Sequence, residues 1–347
     1  MRLGWALLMI VWCGLAPPVG RAAPAGHEGC NEACLKSFMD RYLDALSKHD
    51  PALVPVAARY RYTENGAQLR LGEALWVTFN TLGPYRHDVA DPQSGGIASY
   101  LSLTENKEYP FKDLLAVRLK VTQRRITEIE TVVSRHARAA DNMPPQGPEW
   151  MATMDRIEPE AGRVSRAALA KGALGYLRAV AFHDGSLAPF AESCIRLENG
   201  GLTALGPNDE APVPQLQMPP PANGAPSAPS FFLLGSGCGK QLAYKSYTFI
   251  TGYEDARFPI IDVRRQIVYS VFNFMRRGDV ESWIYEGRQV PFPEAMRYPN
   301  EILNTEMFKF VDGRITRVEA VFEGPQSYKR GTGWPGGTGA ESRPRGE

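Results

Sequence analysis

Two stretches of this chain repeat one another, and this echo constrains the fold more than any other feature of the sequence. HDPALVPVAARYRYTENG begins at residue 49, and HDGSLAPFAESCIRLENG begins at residue 183. Overlaid without gaps, residues 42–66 and 176–200 share eleven identities. A second echo, RRITEIETVV and GRITRVEAVF, closes each half. Repetition in this order predicts two copies of one domain, and a chain of 347 residues is long enough to hold them.

Each copy is predicted to start with a helix and to continue as a sheet. In ACLKSFMDRYLDALSKHD the apolar residues recur at helical spacing up to the Asp50–Pro51 step, which disfavours further helix. ARYRYTENGAQLRL is typical of strand, turn and strand, with Asn65–Gly66 as the hairpin signal, and LGEALWVTFNTL of a short amphipathic helix. We predict further strands at 97–104, 113–122 and 125–133, and in the second copy a helix at 166–182 with strands near 245–251, 264–276, 304–311 and 314–322.

The first 22 residues differ in character from the rest of the chain. Arg2 is followed by the apolar run GWALLMIVWCGLA and by small residues in VGRAAPA, a pattern typical of a secretory signal peptide and too short to span a membrane. We therefore expect a secreted or periplasmic protein with no membrane association after cleavage. The 39 basic and 38 acidic residues form no long run of one sign, so the sequence predicts no nucleic-acid partner.

Cleavage of this leader would remove Cys13 and leave an even set of four cysteines. Export to an oxidising compartment favours disulfides, and four cysteines allow three pairings. We favour Cys30 with Cys34, which could fasten the start of the mature chain, and Cys194 with Cys238, which would close a long insertion. The five histidines are scattered singly, so no metal site is predicted.

A helix, a hairpin, a second helix and a curved antiparallel sheet form a layout that resembles the nuclear-transport-factor-2-like, or SnoaL-like, superfamily. CNEACLKSFMDRYLDALSKHDP, YTENGAQLRLGEALW and LAVRLKVTQRRITEIETVV in the first half, with CIRLENG, ARFPIIDVRRQIVYSVF and TEMFKFVDGRITRVEAVFEG in the second, are similar to a secreted two-domain family of this superfamily without an established activity. The resemblance covers about residues 30–334 and implies an α+β fold of two tandem cone-shaped domains, each a curved antiparallel sheet wrapped around helices.

The corresponding domain boundaries follow from the repeat and the composition. PNDEAPVPQLQMPPPANGAPSAPS is rich in proline and alanine and is expected to be a mobile surface excursion, and the Gly-rich end of the chain is expected to be disordered. The predicted segments are a signal peptide at 1–22, a first domain at 28–135, a linker at 136–162, a second domain at 163–326 with the Pro-rich insertion at 207–230, and a disordered tail at 327–347.

The resemblance also implies a chemistry. Enzymes of the superfamily include ketosteroid isomerases, scytalone dehydratase, epoxide hydrolases and polyketide cyclases, which transfer protons without a cofactor in an apolar pocket at the mouth of the cone. On this resemblance Tyr42 would donate a hydrogen bond to a developing oxyanion, and Glu64, with Glu198 in the second copy, would be the base. His87 could serve as acid or base on a strand. The candidates for substrate binding are Tyr60, Tyr62, Trp76 and Arg264.

Structural alternatives exist for each of these residues. Tyr42 lies on the apolar stripe of its helix, His49–Asp50 would end that helix, and Asn65–Gly66 would be a turn. Glu64 could pair with Arg61, with Arg70 or with an arginine of the other copy. Arg264 could pair with Glu198. His87 could be an exposed strand histidine, and Tyr60, Tyr62 and Trp76 could simply pack. No carboxylic acid on a later strand was matched to the oxyanion donor of the isomerases.

Three functions from different classes stay open at this point. The first is a cofactor-free lyase, isomerase or hydrolase acting on a small apolar or aromatic molecule. The second is a binding module that captures such a molecule without turnover. The third is a structural or interaction protein in which the two copies form an intramolecular pseudo-dimer through their sheet faces.

Overall fold

The computed structural model describes Met1 and residues 29–108, 110–135, 148–206, 236–285 and 287–344. The predicted signal peptide, apart from Met1, and the Pro-rich insertion at 207–230 lie outside these ranges, as do residues 136–147 of the predicted linker. Within the described residues no helix combines the length and the apolarity needed to cross a membrane.

The first half folds as one helix against a six-stranded sheet. The helix α1 (Glu32–Ser47) begins at Asn31, whose side chain accepts the Cys34 amide, and its apolar stripe is buried. The strands are β1 (Val56–Glu64), β2 (Ala67–Leu69), β3 (Phe79–Asp91), β4 (Gly96–Glu105), β5 (Phe111–Thr122) and β6 (Arg125–Ser134), with the short helix α2 (Leu75–Thr78) before β3. Their order in the sheet is β2-β1-β6-β5-β4-β3, and the β1–β6 pair is parallel.

The second half has the same strand order. After α3 (Pro148–Asp155) and α4 (Arg166–Phe182) come β7 (Phe190–Glu198), β8 (Gly201–Ala204), α5 (Gly237–Ala243), β9 (Gly252–Asp262), β10 (Ile267–Arg276), a separate hairpin of β11 (Ser282–Tyr285) and β12 (Arg288–Pro291), β13 (Asn300–Val311), β14 (Arg314–Ser327) and β15 (Glu341–Ser342). The sheet runs β15-β9-β10-β13-β14-β7-β8, so β7, β14, β13, β10 and β9 occupy the places of β1, β6, β5, β4 and β3.

Each sheet buries one face against its own helix. Side chains of α1 pack with Leu115, Val117 and Ile129 of the first sheet. Side chains of α4 pack with Phe308 and Val318 of the second. We call the space between α4 and the facing side of the second sheet the second cone, and the corresponding space under α1 the first cone. The predicted α+β class is confirmed, and the chain consists of two tandem domains that share one strand order.

The opposite faces of the two sheets pack against each other. Ala116 of β5, Met307 of β13 and Trp150 of α3 belong to one buried cluster that contains residues of both sheets. The rings of Tyr100 and Tyr269 meet across it with centroids 6.0 Å apart. The two domains are therefore joined by a continuous apolar layer.

The repeated phrase has a structural explanation in both halves. His49 and His183 have positive φ angles of 52° and 55°, which end α1 and α4, and the following aspartates, Asp50 and Asp184, each accept a backbone amide two residues on. The Glu-Asn-Gly end forms the tight turn between β1 and β2 and between β7 and β8.

The asparagines of this phrase do more than form a turn. The amide of Asn65 donates to the Val133 carbonyl at 3.1 Å and accepts the Val133 amide at 2.8 Å. Asn199 makes the same pair of bonds with Phe322, at 3.1 and 3.0 Å. In each domain one side chain thus continues the parallel strand pairing by one step beyond the end of the strand.

Three sequence predictions differ from the structure. The predicted strand at 245–251 consists mainly of turns. The apolar side chains of Tyr247, Phe249 and Ile250, which suggested a strand, pack on the second core without strand pairing. The predicted strand at 264–276 starts at Ile267, after a turn. The helix predicted in LGEALWVTFNTL ends at Thr78, and the residues from Phe79 onward are strand β3.

Residues 327–344 make specific contacts with both domains, although the sequence predicts a disordered tail at 327–347; residues 345–347 lie outside the described residues. The indole of Trp334 donates to Thr63 Oγ1 at 2.8 Å, and the guanidinium carbons of Arg61 and Arg118 each lie 5.0 Å from its ring centroid. One aromatic side chain stacked on two cations anchors a segment whose Gly-rich composition suggests disorder.

Both favoured cysteine pairs are present. Cys30 is bonded to Cys34 at the start of α1, and Cys194 of β7 is bonded to Cys238 of α5. The second bond joins the two sides of the Pro-rich insertion.

Candidate functional site

Two carboxyl groups face the second cone in a single row across its sheet. Glu198 of β7 is paired in register with Ala320 of β14, and Ala320 is paired with Glu306 of β13. Because directly paired residues point to the same face and neighbouring strands lie about 4.8 Å apart, the two glutamate Cα atoms are about 10 Å apart. Only the methyl group of Ala320 stands between them.

Glu306 is a buried acid. It is 3% exposed, and among the described residues its Oε2 has no hydrogen-bond partner. Burial raises the pKa of Glu306 well above its usual value and the negative charge of Glu198 raises it further, whereas the positive charge of Arg196 and the hydrogen-bonding Tyr176 hydroxyl oppose the rise. The raised pKa favours the neutral form of the carboxyl, in which it can donate a hydrogen bond.

Glu198 carries the opposite character. Its Oε1 lies 3.0 Å from Nε of Arg196, and 21% of its side chain is exposed, so this end of the row reaches the surface. The row therefore combines one ion-paired carboxylate near solvent with one neutral carboxyl in the interior.

Arg196 is the fixed cation of the site. Its side chain is fully buried, its guanidinium carbon lies 4.8 Å from the Tyr247 ring centroid, and its Nε also donates to Thr203 at 3.0 Å. Burial alone would lower the pKa of Arg196, but the oxygens of Tyr247, Tyr176 and Glu198 raise it, so the group stays charged. Within the described part of the chain the buried Nη1 has no hydrogen-bond partner.

Tyr176 completes the cluster from the helix side. It lies on α4 at the position equivalent to Tyr42, and its ring packs on Phe308 with centroids 4.8 Å apart. Burial raises the pKa of its hydroxyl well above the usual value, so Tyr176 remains a donor.

The equivalent row of the first cone has a different chemistry. Glu64 is paired with Thr131 and Thr131 with Val117, so the position of Glu306 is taken by an apolar side chain. Glu64 is 5% exposed and accepts three groups: Arg135 Nη2 at 2.7 Å, the Leu75 amide at 3.0 Å and the Tyr62 hydroxyl at 3.2 Å.

Glu64 is thus an ion-paired carboxylate, as one sequence alternative expected, but its partner is Arg135 of the same domain and none of the arginines considered. Arg135 is placed by the end of β6, and its Nε also binds Glu105 at 2.7 Å. The equivalent position in the second domain is Gly324, which leaves Glu198 to pair with Arg196 instead.

The structure gathers four of the sequence candidates in the first cone. Tyr42, Tyr62, Trp76 and Glu64 are all buried there, and the rings of Tyr42 and Trp76 meet edge to face with centroids 5.6 Å apart. The Tyr42 hydroxyl and the Trp76 indole nitrogen have no hydrogen-bond partner among the described residues. Tyr42 therefore packs in the core and also presents a buried hydroxyl.

The remaining candidates lie elsewhere. His87 is buried between the two sheets, where its Nδ1 is 3.9 Å from Glu319 Oε2. Desolvation, the largest influence, lowers the pKa of His87 to about 4, so the ring is neutral. Tyr60 is 39% exposed. Arg264 sits in the turn between β9 and β10, is 60% exposed and lies 3.5 Å from Glu32, not Glu198.

Sequence reasoning missed Glu306 and Arg196, although a signal for each was present. In TEMFKFV, Glu306 has the same strand parity as Phe308 and Phe310, and in CIRLENG, Arg196 has the parity of Cys194. A charged residue on the apolar face of a strand is the pattern that marks such sites. Glu306 is also a carboxylic acid on a later strand, the type of residue that the sequence analysis could not match to the oxyanion donor of the isomerases.

The arrangement can move a proton across a small ligand. A carboxylate at Glu198 can accept a proton from carbon, while neutral Glu306 and the free Nη1 of Arg196 can donate hydrogen bonds to an oxygen that gains negative charge. In the described residues no group of histidine, cysteine and acidic side chains is arranged to hold a metal ion.

One family model and several solved structures are similar to parts of this chain. A family model described as a domain of unknown function (DUF8021) matches residues 162–322. None of the curated proteins matches the sequence.

The similar solved structures include a nuclear-transport-factor-2-like protein from Burkholderia xenovorans, at 15% identity and a TM-score of 0.26 over 30% of this chain and 95% of that one. An LEH-like epoxide hydrolase from Mycobacterium tuberculosis shares 15% identity, with a TM-score of 0.23 over 29% of this chain and 82% of that one. A Catenulispora acidiphila protein with a ketosteroid-isomerase-like fold, in complex with trimethylamine, shares 14%, with a TM-score of 0.22 over 27% and 82%. These values carry no argument about function, and the fold assignment rests on the two sheets.

Proposed function

We propose that the chain is a cofactor-free enzyme of the lyase, isomerase or hydrolase type, which transfers a proton on a small apolar or aromatic molecule in the second cone. The observation that carries this proposal is the row Glu198–Ala320–Glu306, in which an ion-paired carboxylate and a neutral carboxyl face the same interior about 10 Å apart. A base and an acid kept in different protonation states by their environments are what such a reaction requires.

The roles within the row follow from burial. Glu198 reaches the surface and is the base, Glu306 donates a hydrogen bond to the developing oxyanion, and Arg196 stabilises the same charge through Nη1. Tyr176 positions Glu306. The aromatic residues that surround the cluster, among them Phe272, Phe308 and Tyr247, favour an apolar or aromatic substrate.

The first cone is the competing location. It contains Tyr42 and Glu64 but lacks a counterpart of Glu306, and the Glu64 carboxylate already accepts an arginine, a backbone amide and a tyrosine. We therefore assign the chemistry to the second cone.

Proton transfer can be measured before the natural substrate is identified. A panel of small cyclic and aromatic ketones is incubated with the protein in deuterium oxide, and deuterium incorporation beside the carbonyl is followed by NMR. We expect Glu198→Gln to lower the rate of exchange by about 10²- to 10⁴-fold, because the general base is lost. Glu306→Leu removes one oxyanion donor and should lower the rate by about 10²-fold.

A control variant on the same strand and two contrary outcomes complete this test. Glu192→Gln changes an exposed glutamate of the same strand β7, 79% exposed and 3.8 Å from Lys240, and leaves the rate as it was. Exchange that survives Glu198→Gln but is lost in Glu64→Gln would move the site to the first cone. Ligand binding without any exchange by the wild-type protein would instead identify a capture module.

A further inference from the structure

A second arginine faces the second cone at its rim. Arg276 is the last residue of β10 and has the strand parity of Phe272 and Phe274, both of which belong to the core under α4. Its guanidinium carbon lies 5.0 Å from the ring centroid of Phe249. Arg276 is thus a cation laid on an aromatic ring, on the same side of the sheet as Glu306.

This cation has no anionic partner in the described part of the chain. No carboxylate there forms an ion pair with Arg276, and its Nε is buried without a hydrogen-bond partner. The next residue offers a contrast, because Arg277 Nε lies 3.0 Å from Asp279. Burying a charge without a counter-ion is costly, so the anionic group of a ligand would stabilise this partly buried cation.

The electrostatic surroundings connect Arg276 with the row of carboxyls. Desolvation lowers the pKa of Arg276 to about 10, so it remains charged at neutral pH, and the nearby Tyr298 and Glu198 oppose this shift. Glu198 is also the charge that raises the pKa of Glu306. Glu198 therefore influences the pKa of both groups, and both side chains have the strand parity of the face that packs under α4.

We propose that Arg276 and Phe249 form an anion-binding subsite at the rim of the second cone, which takes the carboxylate, sulfonate or phosphate group of a ligand with an aromatic body. The Phe249 ring holds the guanidinium in place, and the aromatic residues of the second cone receive the apolar part of the ligand. The inference rests on the proposed function, since it names the class of molecule that would enter the same cone.

Two fluorescent probes that differ by one charged group test this subsite. Anilinonaphthalenesulfonate carries a sulfonate, and phenylnaphthylamine has the same aromatic skeleton without it. We expect the wild-type protein to bind the anionic probe about tenfold more tightly than the neutral one, as one charge-assisted hydrogen-bonded contact would provide. Arg276→Met should abolish this preference and change the affinity for the neutral probe less than about twofold.

Three further variants test whether the preference depends specifically on the charge at Arg276. Arg59→Met removes the same charge from an exposed site on β1 of the first domain and should keep the tenfold preference. Arg276→Lys keeps the charge and should retain part of it. If Arg276→Met does not fold, as judged by circular dichroism, Arg276→Gln carries the same prediction.

Several outcomes overturn the proposal. They are an equal affinity of the wild-type protein for both probes, no binding of either, and a preference that persists in the folded Arg276 variant. Competition by inorganic phosphate as strong as that by an aromatic acid would overturn the aromatic part of the assignment. The proposed function can fail independently of the subsite. A preference for the anionic probe without deuterium exchange would contradict the proposed activity and support the subsite. Exchange that depends on Glu198, without a preference for the anionic probe, would support the activity and contradict the subsite.

Discussion

At the scale of single residues, three positions around the shared glutamate differ in polar chemistry between the two domains. Where the first has Val117, Tyr62 and Arg135, the second has Glu306, Arg196 and Gly324. The shared position in the two rows is therefore ion-paired differently: Glu64 pairs with Arg135 at the end of β6, and Glu198 pairs with Arg196 of its own strand. The shared scaffold is therefore the same, while the polar chemistry inside it differs.

The repeated asparagine makes a residue-scale prediction. Asn65→Ala and Asn199→Ala each remove two hydrogen bonds to the backbone of the neighbouring strand, so each variant should lose about 1–2 kcal/mol in the free energy of unfolding, measured by urea titration. Gln123→Ala is the control, because Gln123 also has a positive φ, in the turn between β5 and β6, but serves no such bridge. An equal loss in all three variants would show that the backbone conformation, and not the bridge, sets the cost.

At the scale of elements, the sequence predicts what periodicity encodes and misses what tertiary contacts decide. The long helices and the hairpin at Asn65–Gly66 follow from local patterns. The segment before β9 looks like a strand only because its apolar residues pack on the second core, and the tail is held by Trp334, whose partners are distant in sequence.

The site shows the same division. The parity of Glu306 along TEMFKFV is readable in the sequence, and so is the shared glutamate of the two copies. The pairing of Glu64 with Arg135 is not, because the two residues meet through the parallel β1–β6 pairing and through the direction of the chain as it leaves β6. Local alternation therefore finds a buried charge but cannot name its partner.

At the scale of the whole molecule, the two sheets share a buried layer that contains an acid. Glu319 of β14 is 1% exposed and accepts hydrogen bonds from the Tyr85 hydroxyl and, at 3.2 Å, from the Trp150 indole. Burial raises the pKa of Glu319 to about 7, and the two donors oppose that rise. We therefore predict that the stability of the contact between the domains depends on pH.

The direction of this dependence follows from linkage. The raised pKa means that the folded state favours protonated Glu319, so its stabilising effect is complete below the unfolded value of 4.5 and is lost as the pH rises to about 7. The Glu319→Gln variant has no proton to lose at this position, so it keeps its stability as the pH rises. The free energy of unfolding of the variant minus that of the wild type should therefore increase across this window, by about 3 kcal/mol in total. Titration of the nearby His87 in the unfolded chain is common to both proteins and cancels.

Thermal or urea unfolding at a series of pH values measures this difference. Glu160→Gln, at an exposed position before α4, is the control and should follow the wild-type curve. A difference between wild type and Glu319→Gln that stays constant from acid to neutral pH would rule out a protonated Glu319 in the folded protein.

The account depends most on a neutral Glu306 facing an ion-paired Glu198 inside one domain. Infrared difference spectroscopy at neutral pH reads this state directly, because only a protonated carboxyl shows the carbonyl stretch of a carboxylic acid. The wild-type spectrum minus that of Glu306→Gln should contain this band, and Glu198→Gln should keep it. If the difference instead shows the bands of an ionised carboxylate, Glu306 is not the acid that the second cone requires.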